Sequence, residues 1–513
     1  MEDNSVNFDM GNTPETAQYG SYNHFLLSIH VPKFHTRPSS PSEAAKFSRK
    51  HSEREQIDAA LNDVALMHEL RHFHDCFGTM AGISLFECHL SRLNAFLEVC
   101  RKLYQEDRLL KLPLVEWADD PDCPVYVKKF VKDLIYNVTL ENIFSGRVDL
   151  PGQKGEEELV YKTFEVLPKI NVPAFPLQIG SISIYENHPP AWNEANTSWA
   201  PIGFEQLIEG NAQALQRTYL ESVWPAIVDS VWNLMTTRAG APQHESSEIR
   251  NLTRVPYNIT DLLLTKYLAK HHNIKRYYRD RVLEISDRAL MWGWCPSLGT
   301  KQDMRNAGGG FVLAMEGADW SKGTKSVVTK SHVSTEGLRK LASQYASTPH
   351  YSVTEGRNIQ SAVEYIHRFS VHEIISPLIA LRIQHGESVF FDTGKYLKNL
   401  AAFPFPPLIF GDESLSQRDD VNAGEFMRNW AKFAILSDVC GQIWSGAKLI
   451  TCARAYNYLP GIKFTELCKT PGCDNAVRNR ECLTWDPRYN DPFPYCVFRD
   501  VLMTVRLMEY SSN

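Results

Sequence analysis

Two histidines four residues apart, with a glutamate directly after the first, stand in the stretch "MHELRHFHD", residues 67–75. An α-helix turns about 100° per residue, so His68 and His72 lie one turn above each other and can aim two imidazole nitrogens at one cation. Glu69 is rotated one step aside, where a carboxylate can hold a water and take its proton. That is the division of labour of a hydrolytic zinc site: ligands that leave one position open, and a base beside them. The same spacing also arises from two core histidines bonded to backbone and to Glu69. The elements that carry the pair, and a third ligand, must therefore be found.

Ile57, Leu61 and Val64 form an apolar stripe at spacings of four and three, and continuing it by four and four reaches His68 and His72. Both histidines are expected to face the interior of a half-buried helix, with Arg71 on another face. Asp75 returns to the histidine side. It is expected to accept a hydrogen bond from a ligand's second ring nitrogen, with a distal ligand role also open. A second helix follows in "GFEQLIEGNAQALQ", where Phe204, Ile208, Ala212, Leu215 and Tyr219 make a buried stripe. Glu205 and Glu209, one turn apart, flank it. Buried carboxylates need partners, so one of the two can supply the third ligand, and helix geometry places Glu205 nearer the centre of the stripe.

His68-Glu69-x-x-His72 followed much later by a helical Glu209-Gly210-x-Ala212 resembles the zincin metallopeptidases, specifically the gluzincin type. The resemblance implies zinc ligands His68, His72 and Glu209, with Glu69 as base and acid and Glu205 behind the ligands. It also implies a zincin-like domain with a small sheet packed on the active-site helix. It covers the two helices only, and the family's frequent Asn before the ligand glutamate is Ile208 here. No third histidine follows at the metzincin spacing. A tyrosine or histidine that stabilises an oxyanion would complete such a site, and His367, His372, Tyr277 and Tyr278 are all open to that role.

Other stretches carry less. Cys468, Cys473, Cys482 and Cys496 fall within one loop-rich island and could close a structural zinc site, but they lack a Cys-x-x-Cys knuckle. Gly308-Gly309-Gly310 has neither the Lys-Ser/Thr of a P-loop nor the spacing of a dinucleotide fingerprint. No Ser/His/Asp or Gly-x-Ser-x-Gly arrangement is present.

The chain has 513 residues, 43% of them hydrophobic and 22% charged, which places it among ordinary globular proteins of two or three domains. Lys plus Arg number 54 against 60 Asp plus Glu, a net charge of −6 without single-sign blocks, so a nucleic-acid surface is not expected. No apolar run reaches the roughly 18 residues of a membrane span, and the first residues lack the basic and apolar regions of a secretory signal. The expected location is the cytoplasm. Cys76, Cys88, Cys100 and Cys440 read as small buried hydrophobes with reduced thiols.

The expected fold is mainly α, of α+β type. A mobile arm over 1–22 precedes the metal-binding domain over 23–235, a linker or long loop over 236–256, and a largely helical region over 257–513 that includes the cysteine island at 468–496. A helix is expected to start near Ser42, a strand to lie within 24–34, and a long helical stretch from Glu53 to break between Gly78 and Gly82. Two functions follow. The first is a zinc-dependent hydrolase acting on peptide or protein substrates, with a regulatory protein partner compatible with it. The alternative is a catalytically degenerate scaffold of the same fold that acts by binding a partner. Glu69 favours the first, because a purely structural metal site needs no base.

Overall fold

The computed structural model describes residues 21–23, 27–31, 41–146, 181–183, 199–201, 203–238, 279–294, 335–349, 359–410, 415–417 and 423–444, with single positions at 307, 310, 311, 314, 501, 504 and 505. These residues are mostly helical. The first helices are α1 (Pro41–Ser48), α2 (Glu53–Gly78), α3 (Met80–Gln105), α4 (Leu114–Asp119) and α5 (Val125–Ser145). Then come α6 (Phe204–Val223), α7 (Val228–Arg238), α8 (Arg279–Trp292), α9 (Thr335–Ala346) and α10 (Ile359–Phe369). A π-helical stretch, Ser370–Ile375, leads into α11 (Ser376–His385), α12 (Ser388–Phe391), α13 (Thr393–Lys398) and α14 (Ala423–Trp444).

Six short strands complete the set: β1 (Ser21–Asn23), β2 (Ser28–His30), β3 (Ser181–Ser183), β4 (Trp199–Pro201), β5 (Leu408–Phe410) and β6 (Leu415–Gln417). Four of them form a mixed sheet in the order β1-β2-β5-β6. The β1–β2 pair is antiparallel with Ser21 opposite His30, the β2–β5 pair parallel with Ile29 opposite Ile409, and the β5–β6 pair antiparallel. β1 and β2 also contact α2, so a small sheet does rest on the helix of the histidine pair. β3 and β4 pair separately.

The beginning of α2 is set locally. Ser52 and Glu55 form a capping box: the Ser52 N–H donates to Glu55 Oε2 at 2.7 Å and the Glu55 N–H to Ser52 Oγ at 3.4 Å. Its end is equally local. Thr79 closes α2 and opens α3, donating from Oγ1 to the Asp75 carbonyl at 2.6 Å and accepting the Gly82 N–H at 3.2 Å. A Cβ on Gly82 would run into the backbone of Cys76, so this tight reversal requires glycine. The expected break between Gly78 and Gly82 is therefore present, as is the helix start near Ser42.

α6 is anchored differently. Gly203, at its N-terminus, presses against Gly146 at the end of α5, where a Cβ would collide with the Gly146 backbone. Gln206 joins the two: its Oε1 accepts the Gly203 N–H at 2.8 Å, and its Nε2 donates to the Gly146 carbonyl at 3.3 Å. α6 then packs along α2 in antiparallel fashion. Trp224 Nε1 donates to Asp63 at 3.2 Å, Gln216 Nε2 donates to the Val64 carbonyl at 3.2 Å, and Glu209 meets His68 and His72.

One expectation about α2 fails. The periodicity implies a half-buried helix with Arg71 on a face away from the histidines, but Arg71 is 1% exposed, and the helix is buried around its circumference from Leu66 to Gly78. The physical reason lies far along the chain. Elements between 370 and 404 close over the face that would otherwise meet water. Arg71 Nη1 donates to the Phe390 carbonyl at 2.5 Å, and the Gly78 carbonyl accepts from Arg382 Nε at 2.8 Å. Arg382 also grips Asp287 of α8 through two bonds of 2.9 and 2.6 Å. Helices on both sides of 236–256 thus share a hydrophobic core. Within that stretch, residues 239–256 lie outside the described ones, as do residues 1–20 of the N-terminal arm and the cysteine island at 468–496.

Candidate metal centre

His68, His72 and Glu209 bring three donor atoms together, the group of metal-ligating type found among the described residues. His68 Nε2 lies 3.1 Å from Glu209 Oε2 and 2.8 Å from His72 Nε2, and His72 Nε2 lies 3.4 Å from the same carboxylate oxygen. Tetrahedral zinc with bonds of about 2.0–2.1 Å has ligand atoms roughly 3.3 Å apart. Points about 2 Å from all three atoms exist on either side of the triangle they define. The donor set, two imidazoles and a carboxylate, is one that zinc accepts, and the residues present fit the ion.

Burial pulls the His72 imidazole down, but the Glu209 carboxylate, its hydrogen bond and the charges of Glu69 and Asp75 outweigh it and lift His72 to about 9. Burial would raise Glu209, yet the His72 and His68 rings hold it well below the usual carboxylate range. Without a metal, a proton on His72 balances that carboxylate. Glu69 is buried beside them, and burial pushes its carboxyl up, with the two histidines opposing and Glu209 reinforcing. A carboxyl moved toward neutrality is better matched to accepting and returning a proton near pH 7. The Glu209 side chain is 22% exposed, so the cluster is in reach of solvent.

The other expected residues are placed as follows. Glu205 stands one turn before Glu209, half-buried, and contributes no atom to the cluster. Asp75 is fully buried, but the bonds that hold it are not to a histidine ring: Arg71 Nε donates to its Oδ2 at 3.0 Å, Arg71 Nη2 lies 2.9 Å from Oδ1, and Asn211 Nδ2 donates to Oδ2 at 3.1 Å. His367 pairs with Glu87 at 3.2 Å, and His372 Nε2 donates to the Thr348 carbonyl at 3.1 Å. Tyr277 and Tyr278 lie outside the described residues, as do Cys468, Cys473, Cys482 and Cys496. Cys76, Cys88, Cys100 and Cys440 are free and buried.

Sequence reasoning missed the polar groups behind the cluster. His74 accepts the Tyr396 hydroxyl at Nδ1, 2.6 Å away, and donates from Nε2 to the Pro404 carbonyl at 2.9 Å. Burial, with the Arg71 charge adding to it against the Pro404 bond, lowers His74 to about 3, so it is a neutral structural imidazole. Asn211, two residues after Glu209, carried no signal beyond its polarity within a buried stretch. No family model matches the chain, and neither a curated protein nor a solved structure matches it.

Proposed function

We propose that the protein is a zinc-dependent hydrolase, a metallopeptidase of zincin-like architecture acting on peptide or protein substrates in the cytoplasm. The observation that carries this reading is the convergence of His68 Nε2, His72 Nε2 and Glu209 Oε2 with the Glu69 carboxyl buried next to them. In the described residues no helix is long and apolar enough to cross a membrane. When bound, zinc supplies Lewis-acid chemistry toward a carbonyl and toward water. His68 and His72 orient two ring nitrogens from one face of α2, and Glu209 brings one negative charge from α6. Glu69, fixed on the same helix as the histidines, takes a proton from water on its carboxylate and returns it to the departing amine. Glu69 suits that exchange because it need not serve as a ligand.

The test separates base from ligand. Protein purified without chelator is expected to carry about one zinc per chain, lost in His68→Ala or His72→Ala. Glu69→Gln keeps the size and hydrogen bonding of the side chain but cannot take the proton. Zinc is expected to stay while peptide hydrolysis falls by roughly 10²–10⁴-fold. Full activity in Glu69→Gln, measured against a substrate whose hydrolysis His68→Ala abolishes, refutes the role given to Glu69.

A further inference from the structure

A second polar tie joins the two ligand-bearing helices close to the cluster. Asn211 lies two residues beyond Glu209 and Asp75 three beyond His72, both with no exposed surface, and Asn211 Nδ2 donates to Asp75 Oδ2 at 3.1 Å. The acceptor cannot swing away, because Arg71 forks onto both Asp75 oxygens from one turn earlier. Arg71 is fixed in turn by the Phe390 carbonyl at 2.5 Å, and its guanidinium lies 5.3 Å from the centre of the Tyr396 ring.

The placement of these groups on their helices gives the tie its meaning. At about 100° per residue, His68, His72 and Asp75 fall on one face of α2. On α6, Glu209 stands about 100° to one side of Ile208 and Asn211 about 60° to the other. The two polar residues therefore stand on opposite sides of the apolar stripe, and both reach α2. A rotation of α6 that carried Glu209 away from the histidines would drag Asn211 off Asp75. The bond resists that rotation without any hydrogen bond to a ligand atom among those described.

We infer that Asn211, Asp75 and Arg71 form a positioning group that sets the approach of Glu209 to His68 and His72, and with it the metal affinity and coordination geometry of the site. This inference rests on the metal-site reading above. Loss of the Asn211 amide leaves α6 tied to α2 by Gln216 and Trp224, about two and four turns beyond Glu209, and by apolar contacts that are not directional near the cluster, so Glu209 samples positions from which its oxygen no longer shares a point with both rings. Partners behind metal ligands typically contribute 10–100-fold to affinity.

The experiment compares full-length wild type, Asn211→Ala, Asn211→Ser and Arg71→Lys, which keeps a charge but loses the fork. For each, the zinc dissociation constant is measured by chelator competition, the visible absorption is recorded after loading with Co²⁺, and the melting temperature of the metal-free protein is taken. The expected result is binding of one metal per chain with zinc affinity reduced roughly 10–100-fold and an altered Co²⁺ spectrum. A purely structural role lowers the melting temperature but leaves the folded protein with wild-type affinity and spectrum, and that result in any folded variant of the three overturns the inference. Wild type that binds no zinc removes the metal reading and this inference with it. Wild type that binds while the variants match it removes the inference alone.

Discussion

His74 gives the sharpest test of how α2 is held. Its ring is fully buried, donates from Nε2 to the Pro404 carbonyl and accepts the Tyr396 hydroxyl at Nδ1. Burial disfavours a second ring proton and the Arg71 charge adds to that against the Pro404 bond, so the neutral form is retained down to about pH 3, against an ordinary value of 6.5. The unfolded chain binds this proton below 6.5 and the folded chain does not until about 3. The contribution to stability is therefore complete above pH 6.5 and is lost as pH falls toward 3. At about 1.4 kcal/mol per pH unit, moving from pH 7.5 to 5.0 removes about 2 kcal/mol through His74 alone, a large part of a typical 5–15 kcal/mol. His74→Gln keeps a donor and an acceptor but does not titrate. It is expected to lose ~1–3 kcal/mol at neutral pH, since the imidazole also packs 4.8 Å from the Phe403 ring. Urea unfolding of both proteins at pH 7.5 and 5.0, with chelator present so that metal release does not enter, gives the comparison. Wild type is expected to lose about 2 kcal/mol more than the variant over that interval. Equal losses refute the buried, neutral His74.

Other outcomes follow from neighbouring groups. With His72 lifted to about 9 in the metal-free protein, zinc binding at pH 8 is expected to release about one proton, detected by calorimetry in buffers of different ionisation enthalpy. The same shift means that the His72 contribution to metal-free stability is complete below 6.5 and lost as pH rises through about 9, so the chelated protein is expected to melt lower at pH 9.5 than at pH 7. Asp287→Ala leaves the Arg382 guanidinium buried without its carboxylate and is expected to destabilise by ~3–5 kcal/mol in denaturant unfolding. The double change Asp287→Leu with Arg382→Met is expected to recover much of that loss.

What could be read from the chain was what repeats at helical spacing. Ile57, Leu61 and Val64 point the way to His68 and His72, and the five apolar residues of the α6 stripe are all buried. The third member of the cluster shows where that reasoning ends. Stripe geometry places Glu205 nearer the centre, whereas Glu209 is the residue that meets the rings. Asp75 marks the same boundary. Its face of the helix was legible, but its partners Arg71 and Asn211 were not, since choosing between a ring nitrogen and an amide needs the angle at which two helices cross. The burial of Arg71 was beyond local reading altogether. Nothing near residue 71 announces that Phe390 will offer it a carbonyl, that Tyr396 will lie under it, or that Pro404 will take the proton of His74. Each of those contacts spans about three hundred residues of sequence and has no period. The nine residues "MHELRHFHD" thus carry the chemistry on one face of α2 and the anchoring on the others: His68 and His72 turn toward Glu209, while Arg71 and His74 are gripped by the segment at 390–404. A helix whose charged residue is bound from behind has little freedom to rotate, and that restraint is what two imidazoles need if they are to present their nitrogens to one point.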